Sequence, residues 1–434
     1  MIYDAVAHSM RFVLAPISLI LTLSGLAYVS AILVLVVSKA PLGSGIFVGV
    51  VAVTAAAYAA ILVRVWHEPR ASGRLLRTAF IFALAFRIPL AVAPVGVDND
   101  MVRYLWDGRV QHLGYNPYRV LPADPALAHT HRNGSALMPS RHDRTPYPPA
   151  AQLFFKFVVS ISDTTLAMKL ALMACDLLTA IVLWRWLVYM QLSPWLVLTY
   201  AWNPLVVLEV SHSGHIDALG ALWLVSAAFW LTRRRTLLAT IGFVLAVTTK
   251  LVPIVLLPLL VGRIRRQDAV AGLLLAGALY VPFSSGSDIP LGAVPNVIQS
   301  VRFNAPIFTV VGALTSPKAA AAFALTAGLA VAIWARRRLS ERDPAAWAWP
   351  MAVTIACAPV VYPWYILYLS PFLFSAATLP LMVWTISILS VYEVWRQSRL
   401  GGRWRPAAWV MALEYGAVVA ASVVTRIAGR GFRR

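Results

Sequence analysis

Charge is what this chain has least of. Asp, Glu, Lys and Arg make up 12% of its 434 residues, against ~25% in soluble domains, which excludes an ordinary water-soluble fold. Acidic residues are the scarcer sign, 17 against 37 basic, and the net charge is +20. That excess does not read as a nucleic-acid surface. The basic residues fall in short clusters between apolar runs (Arg233 to Arg235, Arg263 to Arg266, Arg336 to Arg338, Arg430 to Arg434), the pattern of cytoplasmic loops held against anionic lipid. Cysteine is nearly absent. Cys175 and Cys357 both lie inside apolar runs, so no disulfide framework is implied. Short alternating segments are missing too, which argues against a β-barrel. No internal repeat is evident, which argues against the commonest transporter architectures. His129 and His131 have no third ligand in view, so neither a metal site nor a cofactor is expected.

What fills the chain is oil. Hydrophobic residues make up 60%, mean hydropathy is +0.74, and runs of roughly 20 apolar residues, enough to cross a bilayer as a helix, recur along most of the length. Backbone groups in lipid must be satisfied within the chain, so the expected fold is an all-α polytopic bundle of about 12–14 transmembrane helices, some short or broken. It forms one transmembrane domain over 1–434. Spans are expected near 12–37, 46–63, 76–94, 165–184, 195–210, 216–232, 268–284, 318–335, 345–361, 364–378, 379–395 and 407–428. The first run is too long for a signal-peptide core and reads as a retained anchor. Arg64, Arg70, Arg74 and Arg77 place one early loop in the cytoplasm, so both termini are expected inside and the 95–160 loop outside. The run from Thr236 to Leu260 has arginines at both ends and is interrupted by Lys250 and Pro253. Two short helices meeting at Lys250 keep both clusters inside and turn the lysine toward an external cavity. The Arg396 to Arg405 loop breaks the charge rule if it lies outside.

The external loop holds the polar chemistry. Residues 100–113 have helical periodicity, with Met101, Val102, Leu105, Trp106 and Leu113 on one face and Asp100, Arg103, Asp107 and Gln111 on the other. Such a helix can lie on the membrane with its apolar face down. Asp98 and Asp100 read either as helix caps worth about 0.3–1 kcal/mol or as site residues. The second reading draws on His212, His215, Asp217, Lys250, Arg302 and Tyr362, polar groups expected at the same outer level. Such groups at membrane depth are expensive and usually line a pathway or site. Asp176, mid-span, is expected to pair with a polar neighbour. Tyr147 either orders the loop or stacks on a sugar, and Trp364 and Tyr365 belong either to an interfacial belt or to the site.

Five stretches occur in order: "NDMVRYLWDGRV" (Asn99 to Val110), "GYNPYR" (Gly114 to Arg119), "YPP" (Tyr147 to Pro149), "GHID" (Gly214 to Asp217) and "YPWY" (Tyr362 to Tyr365). Together they resemble the GT-C glycosyltransferases, in particular the bacterial polyprenol-phosphate-dependent mannosyltransferases of glycosyltransferase family 87 and their relatives. The resemblance implies a GT-C-like fold. It also implies transfer of a mannose-like hexose from a polyprenyl-phosphate donor to a glycolipid or glycan hydroxyl, on the extracytoplasmic face of the plasma membrane, in building the cell envelope. In that family an aspartate of the first external loop is the catalytic base. Asp100 matches that position, with Asp98 in reserve. The DxD motif of nucleotide-sugar enzymes belongs to a soluble α/β domain absent from this chain. Many relatives carry a histidine where Tyr362 stands. The chemistry is consistent with these residue types. A lipid phosphate is a good leaving group, an acceptor hydroxyl needs a base, and the departing phosphate needs cations, for which Lys250, Arg302 and Arg103 are candidates. Asp107, Arg109, Tyr147, His215, Asp217, Tyr362 and Tyr365 are candidates for sugar or acceptor recognition. A single base implies inversion, and a second carboxylate, Asp98 or Asp107, would permit retention. A secondary transporter and a lipid-linked glycan ligase or polymerase remain as alternatives.

Overall fold

The computed structural model describes residues 15–95, 99–132, 135, 138–284 and 290–431. The chain is 75% helical, and among the described residues there is no strand and 7 helices are long and apolar enough to cross a bilayer. The protein is an all-α polytopic membrane protein. The helices that position the site are α1 (Ile17–Ser38), α2 (Gly45–Val65), α3 (Gly73–Val92), α4 (Asp100–His112), α5 (Pro149–Ile161), α6 (Thr165–Tyr189), α7 (Asp217–Thr232) and α8 (Thr236–Thr249). After them come α9 (Arg266–Tyr280), α10 (Pro317–Arg338), α11 (Pro344–Ala356), α12 (Ala376–Arg399) and α13 (Ala408–Gly431).

The outer helices leave leucines and valines such as Leu23, Leu26, Val37, Val48 and Val63 exposed, as lipid-facing surfaces do. Inside the bundle, buried charges such as Arg87 and Asp176 are paired. Asp176 on α6 meets Arg87 on α3, both fully buried, and Arg87 also donates to the carbonyls of Ala83 and Ala201. Breaking such a pair is costly because the surviving charge has no water to turn to.

The interruption at Lys250 forms. The residue has an extended backbone (φ −155°) at the end of α8, and the chain returns through a 3₁₀ turn, Val252–Leu256, and a short helix, Leu257–Leu260. Both ends of this hairpin lie on one side, because Arg234 and Arg263 reach the same carboxylate, Glu341, at 3.4 and 3.6 Å. Arg336 joins them by donating to the carbonyl of Val261. An arginine-rich end of the bundle is thereby defined, with Asp217 and Lys250 at the opposite ends of α7 and α8.

Two expected spans are not regular helices. The 195–210 pass is a succession of short pieces, Pro194–Val197, Leu198–Ala201, Pro204–Val206 and a π turn, Val207–His212. The 364–378 pass consists of the 3₁₀ turns Pro363–Tyr368, Ser370–Phe372 and Ala376–Thr378. Prolines 194, 204, 363 and 371 remove amide donors and stop each helix. Broken backbone at membrane depth is tolerated where protein surrounds it, and nearly every residue of 195–211 is buried. Apolar content alone cannot separate such a segment from a regular span.

The helix expected to lie on the membrane surface, α4, is instead enclosed, with Met101 through Gln111 all buried. Its apolar side forms a small core of Val102, Trp106, Val110, Leu127 and Met138 under the following loop, and Trp106 donates to Thr130 Oγ1 at 2.8 Å. Its polar side packs toward α5, where Thr145 and Gln152 donate to Asp107 Oδ2 at 2.6 and 2.8 Å. A periodic pattern shows two faces but not what covers the polar one.

Candidate active site

The start of α4 decides what Asp100 is free to do. Asn99 is the N-cap, its side chain accepting from the amide of Met101 at 2.8 Å, while its Nδ2 donates to the carbonyl of Ser213 at 3.0 Å. Capping therefore falls to Asn99 and not to Asp100, which enters α4 with its carboxylate on the wall of a cavity. Asp98 lies outside the described residues. The turn that receives Asn99 needs Gly214: its φ is +72°, and a Cβ there would stand 1.8 Å from Cε of Met101. "GHID" thus lets α4 dock against the entrance of α7, where Tyr104 Oη also lies 3.4 Å from the amide of Ile216.

The cavity holds about 350 Å³. Asn99, Asp100, His212, His215 and Trp364 give it a polar, aromatic wall, Leu35 and Val36 of α1 an apolar one, and Lys39 and Arg399 its cations. Arg399 donates to the carbonyl of Leu42 at 2.7 Å. Neither Lys39 nor Arg399 is paired with a carboxylate among the described residues. His215 stacks on Trp364 with centroids 4.0 Å apart, and Tyr362 stacks on the same indole at 4.4 Å.

Burial raises the pKa of Asp100 above the ordinary carboxylate range; Lys250 and a hydrogen bond from Tyr147 act against that. Burial likewise holds the Tyr147 phenol well above its usual range, so it stays protonated and can donate. A carboxylate beside an aromatic wall, held poised to take a proton, can serve as a general base.

The structure sorts the other expected site residues. Lys250 Nζ lies 2.5 Å from Asp217 Oδ1 and 3.7 Å above the Tyr365 ring. Lys250, Asp217 and Tyr365 thus form a cluster in which the lysine is already paired, and its charge is felt at Asp100. Arg103 bonds Asp107 at 2.7 Å and the carbonyls of Ser140 and Asp143. Arg109 grips Asp163 through two nitrogens at 2.7 and 2.8 Å and also bonds the carbonyl of Thr130. These charges hold the external loop together. Arg302 donates to the carbonyls of Ile298, Gln299 and Val301 and covers Phe308; it is not part of the cavity wall. The sequence reading did not single out Asn99, Lys39, Trp395, Arg399 or Glu209. One signal existed for Arg399, the violation of the charge rule by the Arg396 to Arg405 loop.

A polytopic helical protein that presents a half-buried carboxylate to a cavity with aromatic, cationic and apolar walls has the parts of a membrane-embedded glycosyltransferase. Residues 19–266 match the model of the MptA_B family, described as alpha-(1->6)-mannopyranosyltransferase, N-terminal domain, and the chain belongs to that family. It is a GT-C-like membrane protein of mannosyl transfer. No curated protein and no solved structure matches it.

Proposed function

We propose that the protein transfers mannose from a polyprenyl-phosphate donor to a hydroxyl of a glycolipid or glycan acceptor, with inversion and with Asp100 as the base. The observation that carries this reading is the placement of the Asp100 carboxylate, relieved of capping by Asn99, in a cavity whose rim carries Lys39 and Arg399 beside the apolar end of α1. An isoprenoid tail fits against Leu35 and Val36, its phosphate against the two cations, and the sugar along His215 and Trp364. The acceptor hydroxyl gives its proton to Asp100 as its oxygen bonds the anomeric carbon. The bond from that carbon to the phosphate oxygen breaks, and the lipid phosphate leaves with an added negative charge beside Lys39 and Arg399. Retention needs a free second carboxylate. Asp217 is paired with Lys250, and Asp107 with Arg103, Thr145 and Gln152, which favours inversion; Asp98, the other candidate for retention, lies outside the described residues.

Orientation follows from charge. Arg234, Arg263 and Arg336 gather at the end of the bundle away from Asp217, and the positive-inside rule puts that end in the cytoplasm. The cavity then faces outward across the plasma membrane, where a cell-envelope glycan would be built.

The test supplies purified protein with polyprenyl-phosphate [¹⁴C]mannose and an α-mannoside acceptor. A labelled, elongated product is expected, with the inverted anomer by NMR. Transfer from GDP-mannose but not from the lipid donor would overturn the donor assignment. Solute counterflow in sealed vesicles without sugar transfer would favour a transporter.

A further inference from the structure

Behind the wall facing the sugar lies a carboxylate with no part in the chemistry above. Glu209 is fully buried within the π turn Val207–His212, a rare geometry that recurs at functional sites. It touches two side chains of the cavity wall that come from different parts of the fold. Tyr392 of α12 donates to its Oε1 at 2.6 Å, and His215 brings Nε2 to 3.3 Å from its Oε2. The backbone closes the same loop, with the amide of His215 donating to the carbonyl of Glu209 at 3.0 Å.

The groups around Glu209 are left short of partners. Glu209 Oε2, Ser211 Oγ, His215 Nδ1 and Asp217 Oδ2 are buried polar atoms with no hydrogen-bond partner among the described residues. The approach of His215 Nε2 to Glu209 is therefore a close contact and not a formed hydrogen bond. Buried polar groups normally find partners; of these four residues His215 lines the cavity, and an unpartnered ring nitrogen there points to a hydroxylated ligand. The carboxylate beside Nε2 favours the tautomer with the proton on that nitrogen, which makes Nδ1 the acceptor. Stacking on Trp364 fixes the plane of the ring.

We infer that Glu209 is a positioning residue that sets His215 to bind one hydroxyl of the transferred sugar, so that the pair reads the sugar's identity. This rests on the proposed mannosyl donor and deepens it. Asp100 takes the acceptor's proton, while Glu209 and His215 select which hexose stands at the anomeric position. A hydroxyl that donates to the imidazole supplies the partner that His215 Nδ1 lacks, and a site built to bond a hydroxyl discriminates strongly against an analogue without it.

The experiment measures kcat/KM for polyprenyl-phosphate mannose and its 2-, 3-, 4- and 6-deoxy analogues. In the unmodified protein, loss of one particular hydroxyl should cost about tenfold or more. Glu209→Gln, which keeps the volume and an acceptor for Tyr392, should collapse that ratio toward one at the same position and leave the other ratios unchanged. Glu209→Asp should restore part of it. A purely structural Glu209 would lower all rates together with the deoxy profile intact, and that result would overturn the inference. Where Glu209→Gln does not fold, His215→Phe keeps the stack on Trp364 and must show the same collapse; an unaltered profile there also refutes the role. An unmodified protein inactive with every lipid donor refutes the donor reading instead. In that case saturation-transfer NMR with methyl α-mannoside and its deoxy analogues, on unmodified and Glu209→Gln protein, reads the same contact, and equal profiles refute it.

Discussion

Replacing Asp100 by Asn should remove a proton acceptor and little else. The two side chains have the same shape. The cap of α4 belongs to Asn99, which accepts from the Met101 amide at 2.8 Å, so the helix start survives. The lost interaction of a first-turn carboxylate with the helix dipole is worth about 0.3–1 kcal/mol. A general base typically supplies roughly 10²–10⁴-fold, equal to about 2.7–5.5 kcal/mol of barrier at ~1.36 kcal/mol per tenfold. The stability effect and the rate effect should therefore differ by more than their uncertainties. Turnover is measured with radiolabelled lipid donor, donor affinity by competition, and folding by thermal melting in detergent. The expected result is a rate at least about a hundredfold lower, with melting temperature and donor affinity nearly unchanged. Turnover within about tenfold of the unmodified protein would show that Asp100 is not the base, and a large fall in melting temperature would show that it serves the fold.

Lys39→Ala and Arg399→Ala should each raise the apparent KM for the lipid donor by about tenfold or more, since charge-assisted bonds contribute about 1.5–3 kcal/mol. Unchanged donor kinetics in both would move the phosphate elsewhere. Lys250→Met removes the cation that most opposes the burial-driven rise of the Asp100 pKa. The base must be ionised, so the acidic limb of kcat/KM already lies above the ordinary carboxylate range and should move to still higher pH in the variant; a limb that stays or moves down contradicts the assigned electrostatics. Cysteines replacing His129 and Ser140, both exposed, should react with a membrane-impermeant maleimide in intact cells, against a low background because Cys175 and Cys357 are buried. Labelling only after permeabilisation would reverse the orientation.

Much of this protein can be read from its order of residues, and the reasons are local. Apolar runs longer than a bilayer is thick must become helices, because lipid offers the backbone no partner. Arginine clusters at both ends of Thr236 to Leu260 required a hairpin, which Arg234 and Arg263 meeting at Glu341 bear out. "RYLWDGR" and "GYNPY" pointed to the family that residues 19–266 match. The rest depended on which groups meet across long separations. Arg103 and Lys250 look like ligands to a lipid phosphate, and Asp107 and Arg109 like ligands to a sugar or acceptor, while their partners are unknown. Folding brings Asp107, Thr145 and Gln152 together, joins Arg109 to Asp163, and sets Lys250 on Asp217. Each pairing takes up a charge that sequence alone leaves free. The same folding brings Lys39 and Arg399, at distant points in the chain, to the rim of the Asp100 cavity, and places Glu209 between Tyr392 and His215. Span length and side preference follow from the solvent each residue must face, which a sequence carries in its composition. A site depends on which polar groups remain unpaired once all others have found partners, and only the tertiary structure decides that.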